Sequence, residues 1–512
     1  MSQKHTWIKG TIILTLAGLI SKVFGMIYRV PLQNIAGDEG LYVYQQIYPL
    51  LSIALMLSLY SFPSAISGFV EKKNVNHQIK IQSMMPIFSI LFTIGFVLFL
   101  TIFSLSQPLA HLIGDESLTH LIRIASVMFL LIPFSALYRG YFLGLNQANY
   151  VAISQIIEQI VRVSLIICFT VLVVRHDWTN YRLGSLAAIG TLAGTALTIV
   201  FLLFAFRLYK KRYRLQFQSF ITNNKLIRAI VTGSIVFSLT YLLHVLLQFI
   251  DVFTMIKQLE SYRFTFQEAK IEKGIHDRGH AIIQLGLVFG SSLALALVPS
   301  IEKEKKSNDD SNEKLAFHLT FTLSLAATVG LIVIMPLLNQ LLYENREGTS
   351  ALQLMMLLVF LLSLVILFST FLKRYQYRLR QLIWIGGMVL LKILFNLWFI
   401  PIYGIFGASL ASVLAVSLLL LVFVIKWLSL SKQSFDTRLI FKVIFSSLLM
   451  GVIVYLTTEW VSELAIVQNR IILIFIVLLL CLLGVLIFIG LIFNLKVFSK
   501  NDMEKLFKNK FN

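Results

Sequence analysis

Two basic residues interrupt a long apolar stretch near the start of the sequence. Lys22 and Arg29 lie in KGTIILTLAGLISKVFGMIYRVP, residues 9–31, a stretch that matches the roughly 20 residues needed to cross a bilayer. Their spacing of seven residues places both on nearly the same face of a helix. A cation near the bilayer centre costs at least about 2.5 kcal/mol and usually faces a protein interior. We therefore predict that this helix lines a polar cavity that attracts an anion. For Arg29, close to the far end of the span, the alternative is that its side chain reaches the lipid headgroups.

A second pair of charged residues lies inside another apolar stretch, SQIIEQIVRVSLIICF. Glu158 and Arg162 are four residues apart, so on a helix they face the same way and can form an ion pair. Two interpretations stay open. In the first, the pair lines the cavity, with Arg162 facing the substrate and Glu158 either holding it or titrating. In the second, the pair is buried and only helps the helices to pack.

Further ionisable residues lie near the ends of other apolar stretches. Asp251 is a candidate for coupling transport to a cation or proton, with an interfacial acid as the alternative. His244 is predicted to be a core histidine rather than a proton relay. Arg123 and Arg139 are predicted to extend towards the headgroups.

Composition fixes the class of protein that must position these residues. The chain has 512 residues, of which 58% are hydrophobic and 13% charged, whereas soluble proteins have about 25% charged residues. The net charge of +20 does not indicate a nucleic-acid partner, because about 29 of the 44 Lys and Arg residues fall in one set of alternate loops and tails. The positive-inside rule makes those loops cytoplasmic. The sequence therefore predicts a multi-pass membrane protein with both termini in the cytoplasm.

Apolar windows predict an all-α integral membrane protein with about fourteen transmembrane helices. Most connections are short and leave no room for a soluble catalytic domain, so we predict a protein that is not an enzyme and has neither catalytic residues nor a cofactor. Cys168 and Cys481 each lie in an apolar run and indicate neither a disulfide nor a metal cluster. The first span is predicted to be a retained signal-anchor. The external segment 254–279 is predicted to hold a short surface helix at 266–273.

Weak internal similarity predicts two halves with the same orientation. FPS at 62–64 is echoed by VPS at 298–300, and the stretch around Glu158 is echoed by IGGMVLLKILFNLWFI. In this register Glu158 lies opposite Lys392, and Arg162 opposite Asn396, which makes Lys392 a further substrate-binding candidate. The predicted organisation is an N-terminal six-helix lobe at 1–207, a basic cytoplasmic linker at 208–227, a second six-helix lobe at 228–426, and a C-terminal helix pair with a basic tail at 427–512.

Several motifs together resemble a known superfamily. They are SKVFG at 21–25, YRVP at 28–31, Pro63, YRGYFLG at 138–144 and SQIIEQIVR at 154–162. The chain resembles the polysaccharide-export branch of the multidrug/oligosaccharidyl-lipid/polysaccharide exporter superfamily, and within it the stage V sporulation protein B-like proteins, which are relatives of the lipid II flippases. The resemblance implies two six-helix lobes around a central cavity, with two C-terminal helices. It also implies alternating access that carries an undecaprenyl-diphosphate-linked sugar between leaflets.

The resemblance assigns a cavity cation to Lys22. The second basic position of the lipid II flippase motif is Tyr28 here, with Arg29 next to it, a departure that bears on the lipid II assignment more than on the flippase assignment. The predicted function is a flippase for a polysaccharide repeat unit or a lipid II-like precursor in the bacterial plasma membrane. The predicted partners are this anionic lipid-linked glycan, membrane lipids and envelope-synthesis proteins, and the chain is expected to be a monomer.

Three alternatives to a flippase remain open. A cation-coupled multidrug exporter of the same superfamily would share the fold, although cations on the inward face of the first span disfavour cationic drugs. A membrane-embedded glycan polymerase or ligase would need a larger external loop with catalytic acids or arginines than 254–279 offers. A non-transporting partner of an envelope-synthesis complex would not need buried charges in the first and fifth spans.

Overall fold

The computed structural model describes most of the chain. The described residues are 20, 23–25, 28–68, 70, 73–75, 78–82, 84–213, 216–218, 242–303, 311–375, 377–431, 436–462 and 469–497. Lys22 lies outside these ranges.

Helices make up nearly all of the described part of the chain. They are α1 (Arg29–Met56), α2 (Phe62–Ser67), α3 (Met84–Ser104), α4 (Ser106–Ile113), α5 (Thr119–Ser126), α6 (Met128–Gly144), α7 (Ala148–Arg175), α8 (Asn180–Tyr213), α9 (Leu243–Ser261), α10 (Phe266–Lys303), α11 (Ser311–Tyr343), α12 (Thr349–Arg374), α13 (Arg378–Ser431), α14 (Thr437–Ser462) and α15 (Arg470–Asn494). A π-helical turn at Leu57–Ser61 joins α1 to α2, and a 3₁₀ turn spans Glu116–Leu118. Within the described ranges, 10 helical segments are long and apolar enough to cross a membrane. The prediction of an all-α membrane protein is confirmed.

Two of these segments are each long enough for two spans and are broken at a glycine. Val23–Ser67 has 45 residues and Leu379–Ser431 has 53, against the roughly 20 that one crossing requires. The breaks are at Gly37, with φ 71° and ψ −178°, and at Gly404, with φ 56° and ψ −137°. Only glycine adopts such conformations readily. Each glycine therefore joins two neighbouring predicted spans.

A small sheet was not predicted from the sequence. Strands β1 (Lys73–Val75) and β2 (Gln78–Gln82) form an antiparallel hairpin, and β2 pairs in parallel with β3 (Gln216–Gln218). The sheet thereby joins the connection after α2 to the chain that follows α8. Strands this short carry too little alternation of polar and apolar residues to stand out between basic loops.

The chain divides into two compact units. The first contains residues 1–260 and 264–277, and the second contains 261–263 and 278–512, so the long helix α10 belongs partly to each. The predicted lobe boundaries stay a prediction.

In the first unit, glycines allow helices to approach closely, as is common in membranes. A Cβ atom at Gly194 would lie 2.8 Å from the backbone oxygen of Glu158, so α8 runs directly against α7 at that residue. Gly274 of α10 faces the oxygen of Asp38, which a Cβ atom would approach to 2.1 Å. Both contacts exclude any larger residue unless the backbone moves.

The start of α10 corrects one expectation. The surface helix predicted at 266–273 is instead the beginning of this 38-residue helix. Lys270 is buried and its Nζ lies 2.5 Å from Oε1 of Glu39, next to the break at Gly37. Lys273 is also buried and pairs with Asp277 one turn further on. The mixed charges that indicated a solvent-exposed helix therefore form internal ion pairs.

In the second unit, the last two helices pack against α11. Their shared apolar core contains Leu337, Met450, Val454, Leu473 and Val477. Large apolar side chains on the outer faces of α14 and α15, such as Phe441 and Phe475, are exposed. Such faces suit contact with lipid tails, because no polar group on them needs water.

Candidate functional site

Arg29 lies inside the first unit and not at its surface. Its side chain is only 1% exposed, so the alternative that it reaches the headgroups is wrong. The guanidinium carbon lies 4.2 Å from the centre of the Tyr48 ring. This contact forms because the break at Gly37 lets the two halves of α1 pack against each other. A second contact across the same break joins the hydroxyls of Tyr28 and Tyr44, which are 2.7 Å apart.

The guanidinium of Arg29 has an unusual environment. Within the described part of the chain, none of its three nitrogens has a hydrogen-bond partner. A cation–π contact contributes about 0.5–2 kcal/mol, whereas removing a cation from water without partners costs several kcal/mol. Arg29 is therefore available to bind an anion inside the protein.

Arg162 lies on α7, next in sequence to a residue that packs against α1. The residue next to it, Val163, packs with Tyr28 and Tyr44 in one buried cluster. Arg162 is partly buried and donates a hydrogen bond to Oε1 of Gln159, while its Nε has no partner in the described ranges. The structure thus places Arg162 next in sequence to a residue that packs with Tyr28 and Tyr44.

Glu158 does not form the ion pair that helix spacing indicated. Its carboxylate lies 2.7 Å from the guanidinium of Arg139 on α6, and both side chains are buried. The prediction that Arg139 extends towards the headgroups is wrong, as is the choice of Arg162 as the partner of Glu158. Spacing along one helix identifies residues on one face but not which residue of a neighbouring helix meets that face.

The Arg139–Glu158 pair is held by a complete set of hydrogen bonds. Arg139 donates to Ser154 Oγ at 3.0 Å and to Ser58 Oγ at 2.8 Å, and Thr195 donates to Glu158 Oε1 at 2.6 Å. This arrangement meets the conditions under which a buried ion pair is tolerated. It joins α6, α7 and α8, so its geometry is that of a structural element.

Lys392 lies in the second unit, on the first half of α13. It is fully buried, and its Nζ donates to Asn396 Oδ1 at 2.8 Å and to the backbone oxygen of Ala408 at 3.0 Å. The two halves of α13 approach closely here, because a Cβ atom at Gly407 would lie 2.3 Å from the oxygen of Phe399. Lys392 is thus a buried cation held by neutral acceptors.

Asp251 is fully buried on α9. Within the first unit, the atoms of Asp251 and His276 that could bind a cation lie within 4.8 Å of each other. His244 is buried, as predicted for a core histidine. The role of Asp251 in coupling stays a prediction.

Sequence reasoning overlooked a group of buried amides in α1. Gln45 and Gln46 are 3% and 5% exposed, and neither the nitrogen nor the oxygen of either amide has a hydrogen-bond partner among the described residues. Ser52 Oγ, two turns beyond Gln45, is in the same situation. In the sequence, the two glutamines could have been recognised as a polar pair inside the apolar run LYVYQQIYPLLSIALM.

Comparison with known proteins is consistent with this geometry. The profile of the family described as "Polysaccharide biosynthesis protein" matches residues 7–303, more than half of the chain. The chain is 36% identical over 419 residues to the Uncharacterized membrane protein YabM of Bacillus subtilis (strain 168), covering 80% of this chain and 78% of that protein. It is 29% identical over 232 residues to Stage V sporulation protein B of the same organism, covering 43% of each chain.

Two solved structures share the fold. The Lipid II flippase MurJ in an inward closed conformation aligns with a TM-score of 0.67 at 16% identity, covering 94% of this chain and 98% of that one. A multidrug resistance MATE family transporter of the MOP superfamily, in an inward-facing conformation, aligns with a TM-score of 0.61 at 15% identity, covering 83% of this chain and 100% of that one. At these identities the likeness establishes the fold alone. By its profile match and its relatives, the chain belongs to the polysaccharide biosynthesis protein family and has the helical membrane fold of the MOP exporters.

Proposed function

We propose that the protein is a flippase that moves an undecaprenyl-diphosphate-linked cell-envelope oligosaccharide across the bacterial plasma membrane by alternating access. The observation that carries this proposal is the buried guanidinium of Arg29, which has no hydrogen-bond partner in the described part of the chain. A diphosphate supplies what this group lacks, because its oxygens accept charge-assisted hydrogen bonds in a planar, bidentate geometry.

In this proposal, Arg29 and Arg162 bind the diphosphate and Lys22 contributes a further cation from the first span. Arg162 retains one nitrogen without a described partner, and the next residue, Val163, packs with Tyr28 and Tyr44. Glu158 acts as a positioning residue, since Arg139 and Thr195 already occupy its carboxylate. Lys392 is a substrate-binding candidate of the second unit, and Asp251 is a candidate for coupling transport to a cation or a proton.

The remaining parts of the proposal concern the topology, the chemistry and the partners of the protein. Both termini lie in the cytoplasm, as the distribution of Lys and Arg predicts. The protein performs no covalent chemistry and needs no cofactor. It acts as a monomer on a lipid substrate, with envelope-synthesis proteins as partners.

The test is the exposure of lipid-linked oligosaccharides on the outer leaflet of cells depleted of the protein. Wild type, Arg29→Gln and Arg175→Gln would be supplied in trans at matched membrane levels. Arg175 is the matched control because it lies exposed at the end of α7. We expect wild type and Arg175→Gln to restore external substrate and Arg29→Gln to fail. Unchanged exposure of every envelope glycan on depletion, together with loss of cation-dye efflux, would contradict the flippase and favour the multidrug exporter.

A further inference from the structure

The amides of α1 lie beside Arg29 but have a different chemistry. Gln45, Tyr48 and Ser52 follow one another at spacings of three and four residues, so they lie on one face of the helix. Tyr48 is the residue whose ring lies under the Arg29 guanidinium. The amide of Gln45 and the hydroxyl of Ser52 therefore continue, on either side of Tyr48, the surface that contacts Arg29.

The polar groups on this face are neutral and lack partners. Gln45 offers two N–H donors and a carbonyl acceptor, and Ser52 offers a hydroxyl that both donates and accepts. Both side chains are more than nine-tenths buried, and the polar atoms of both have no hydrogen-bond partner in the described ranges. Each such group left without a partner costs about 1–3 kcal/mol. A purely structural interior would have apolar residues here.

A saccharide has the complementary chemistry. Its hydroxyls donate and accept within the same small ring, and an N-acetyl group adds an amide that pairs with another amide. Its C–H face can lie against an aromatic ring such as Tyr48, in keeping with binding sites that combine aromatic walls with a few placed polar groups. A diphosphate, by contrast, offers only acceptors and no apolar face.

Resting on the proposed function, we propose that Gln45, Tyr48 and Ser52 form a saccharide subsite, separate from the diphosphate subsite at Arg29. It binds the neutral sugar attached directly to the diphosphate. Contact between Tyr48 and Arg29 sets the two subsites side by side, in the order in which sugar and diphosphate are joined in the substrate. Gln46, equally buried and next in sequence, extends the amide surface towards the adjoining face of the helix.

The experiment compares the binding of three lipids to the purified full-length protein in nanodiscs. They are undecaprenyl diphosphate, the same lipid carrying one N-acetylglucosamine, and the same lipid carrying one galactose. We expect wild type to bind at least one of the sugar-bearing lipids about three- to tenfold more tightly than the bare diphosphate, as one or two hydrogen bonds predict. Gln45→Met and Ser52→Ala should each bring the ratio of the affinity for that sugar-bearing lipid to the affinity for undecaprenyl diphosphate close to one. Each should change the affinity for undecaprenyl diphosphate itself by less than about twofold.

Control variants separate the possible failures. Arg29→Gln should weaken the binding of all three lipids by a similar factor, since it removes the contact with the diphosphate that they share. Gln45→Met should keep or raise the melting temperature, because it replaces an unpartnered buried amide with an apolar side chain of similar size. If wild type binds all three lipids equally, or if Gln45→Met and Ser52→Ala leave the preference intact, the saccharide subsite is wrong and the diphosphate site stands. If wild type binds none of the three, the proposed function itself fails.

Discussion

Two buried arginines in the first unit have opposite environments. Arg139 has a carboxylate partner and two serine acceptors, all within 3.0 Å. Arg29 has an aromatic ring and, within the described residues, no hydrogen-bond acceptor. A satisfied buried charge stabilises one arrangement of helices, whereas an unsatisfied one reduces stability and is a candidate for ligand binding. From this comparison we propose an architectural role for Arg139 and a substrate-binding role for Arg29.

The largest effect is expected on transport when the binding arginines lose their charge. Arg29→Gln and Arg162→Gln should each abolish substrate flipping while the protein still inserts and folds, because each change removes charge-assisted hydrogen bonds worth about 1.5–3 kcal/mol apiece. Flipping is measured as the accessibility of the lipid-linked substrate on the outer leaflet, and folding as the melting temperature of the purified variants. Full transport by both variants would reverse the assignment made from the comparison.

Removing the charge of Arg139 should act on folding instead. Arg139→Met leaves Glu158 buried without its cation, which should lower the free energy of unfolding by about 3–5 kcal/mol. The double variant Arg139→Met/Glu158→Leu should recover most of the loss, since both charges are then gone. The free energy of unfolding of each variant is measured by titration with a denaturing detergent. A stable Arg139→Met protein that fails to flip substrate would show that the network takes part in transport.

The break at Gly37 should matter for stability. With φ at 71° and ψ near 180°, an alanine there should cost about 1–3 kcal/mol, although no neighbouring atom obstructs its Cβ. Gly330→Ala on α11 is the control, since its Cβ also meets open space but its backbone is helical. Alanine should be neutral or slightly stabilising there. Equal melting temperatures for the two variants would mean that the backbone at Gly37 adapts without strain.

The smallest effect is expected at the exposed start of α10, where Thr265 and Glu268 cap the helix. Glu268 accepts hydrogen bonds from the backbone nitrogen and the hydroxyl of Thr265, both at 2.8 Å, and these lower the pKa of its carboxyl below the usual 4.5. A lowered pKa in the folded state adds stability above the usual value, and that stability is lost as the pH falls through the lowered pKa. Glu268→Gln should therefore reduce the pH dependence of the melting temperature only below about pH 4.5. A difference confined to neutral pH would contradict this assignment.

The sequence predicted the class of protein and part of the candidate site. Apolar composition and the spacing of long stretches were enough for a helical membrane protein, because the bilayer permits few alternatives. The cost of placing a cation in the membrane pointed to Arg29, and the internal similarity between the two halves pointed to Lys392. Both side chains are buried. The partner of Glu158 was missed because it lies on another helix, 19 positions away in sequence. The spacing of residues along one helix cannot predict a contact between two helices.

The overlooked amides have a different explanation. Gln45 and Gln46 carry no charge, so their cost in an apolar run is lower and their signal weaker than that of a cation. Lys270 and Lys273 were assigned to a surface because exposed mixed charge is common. Only the fold places Glu39 beside Lys270, whereas Asp277 lies one turn beyond Lys273 on the same helix. For Lys270, a neighbour from a distant part of the sequence decides the role.

The role of Arg29 is tested by measuring the affinity of the purified protein for undecaprenyl diphosphate, with the uncharged alcohol undecaprenol as the comparison lipid. We expect wild type and Arg175→Gln to bind the diphosphate lipid much more tightly than undecaprenol. We expect Arg29→Gln to lose about ten- to a hundredfold of the affinity for the diphosphate lipid, with no change for undecaprenol. Equal affinity of wild type and Arg29→Gln for the diphosphate lipid would contradict the assignment of Arg29 to the substrate.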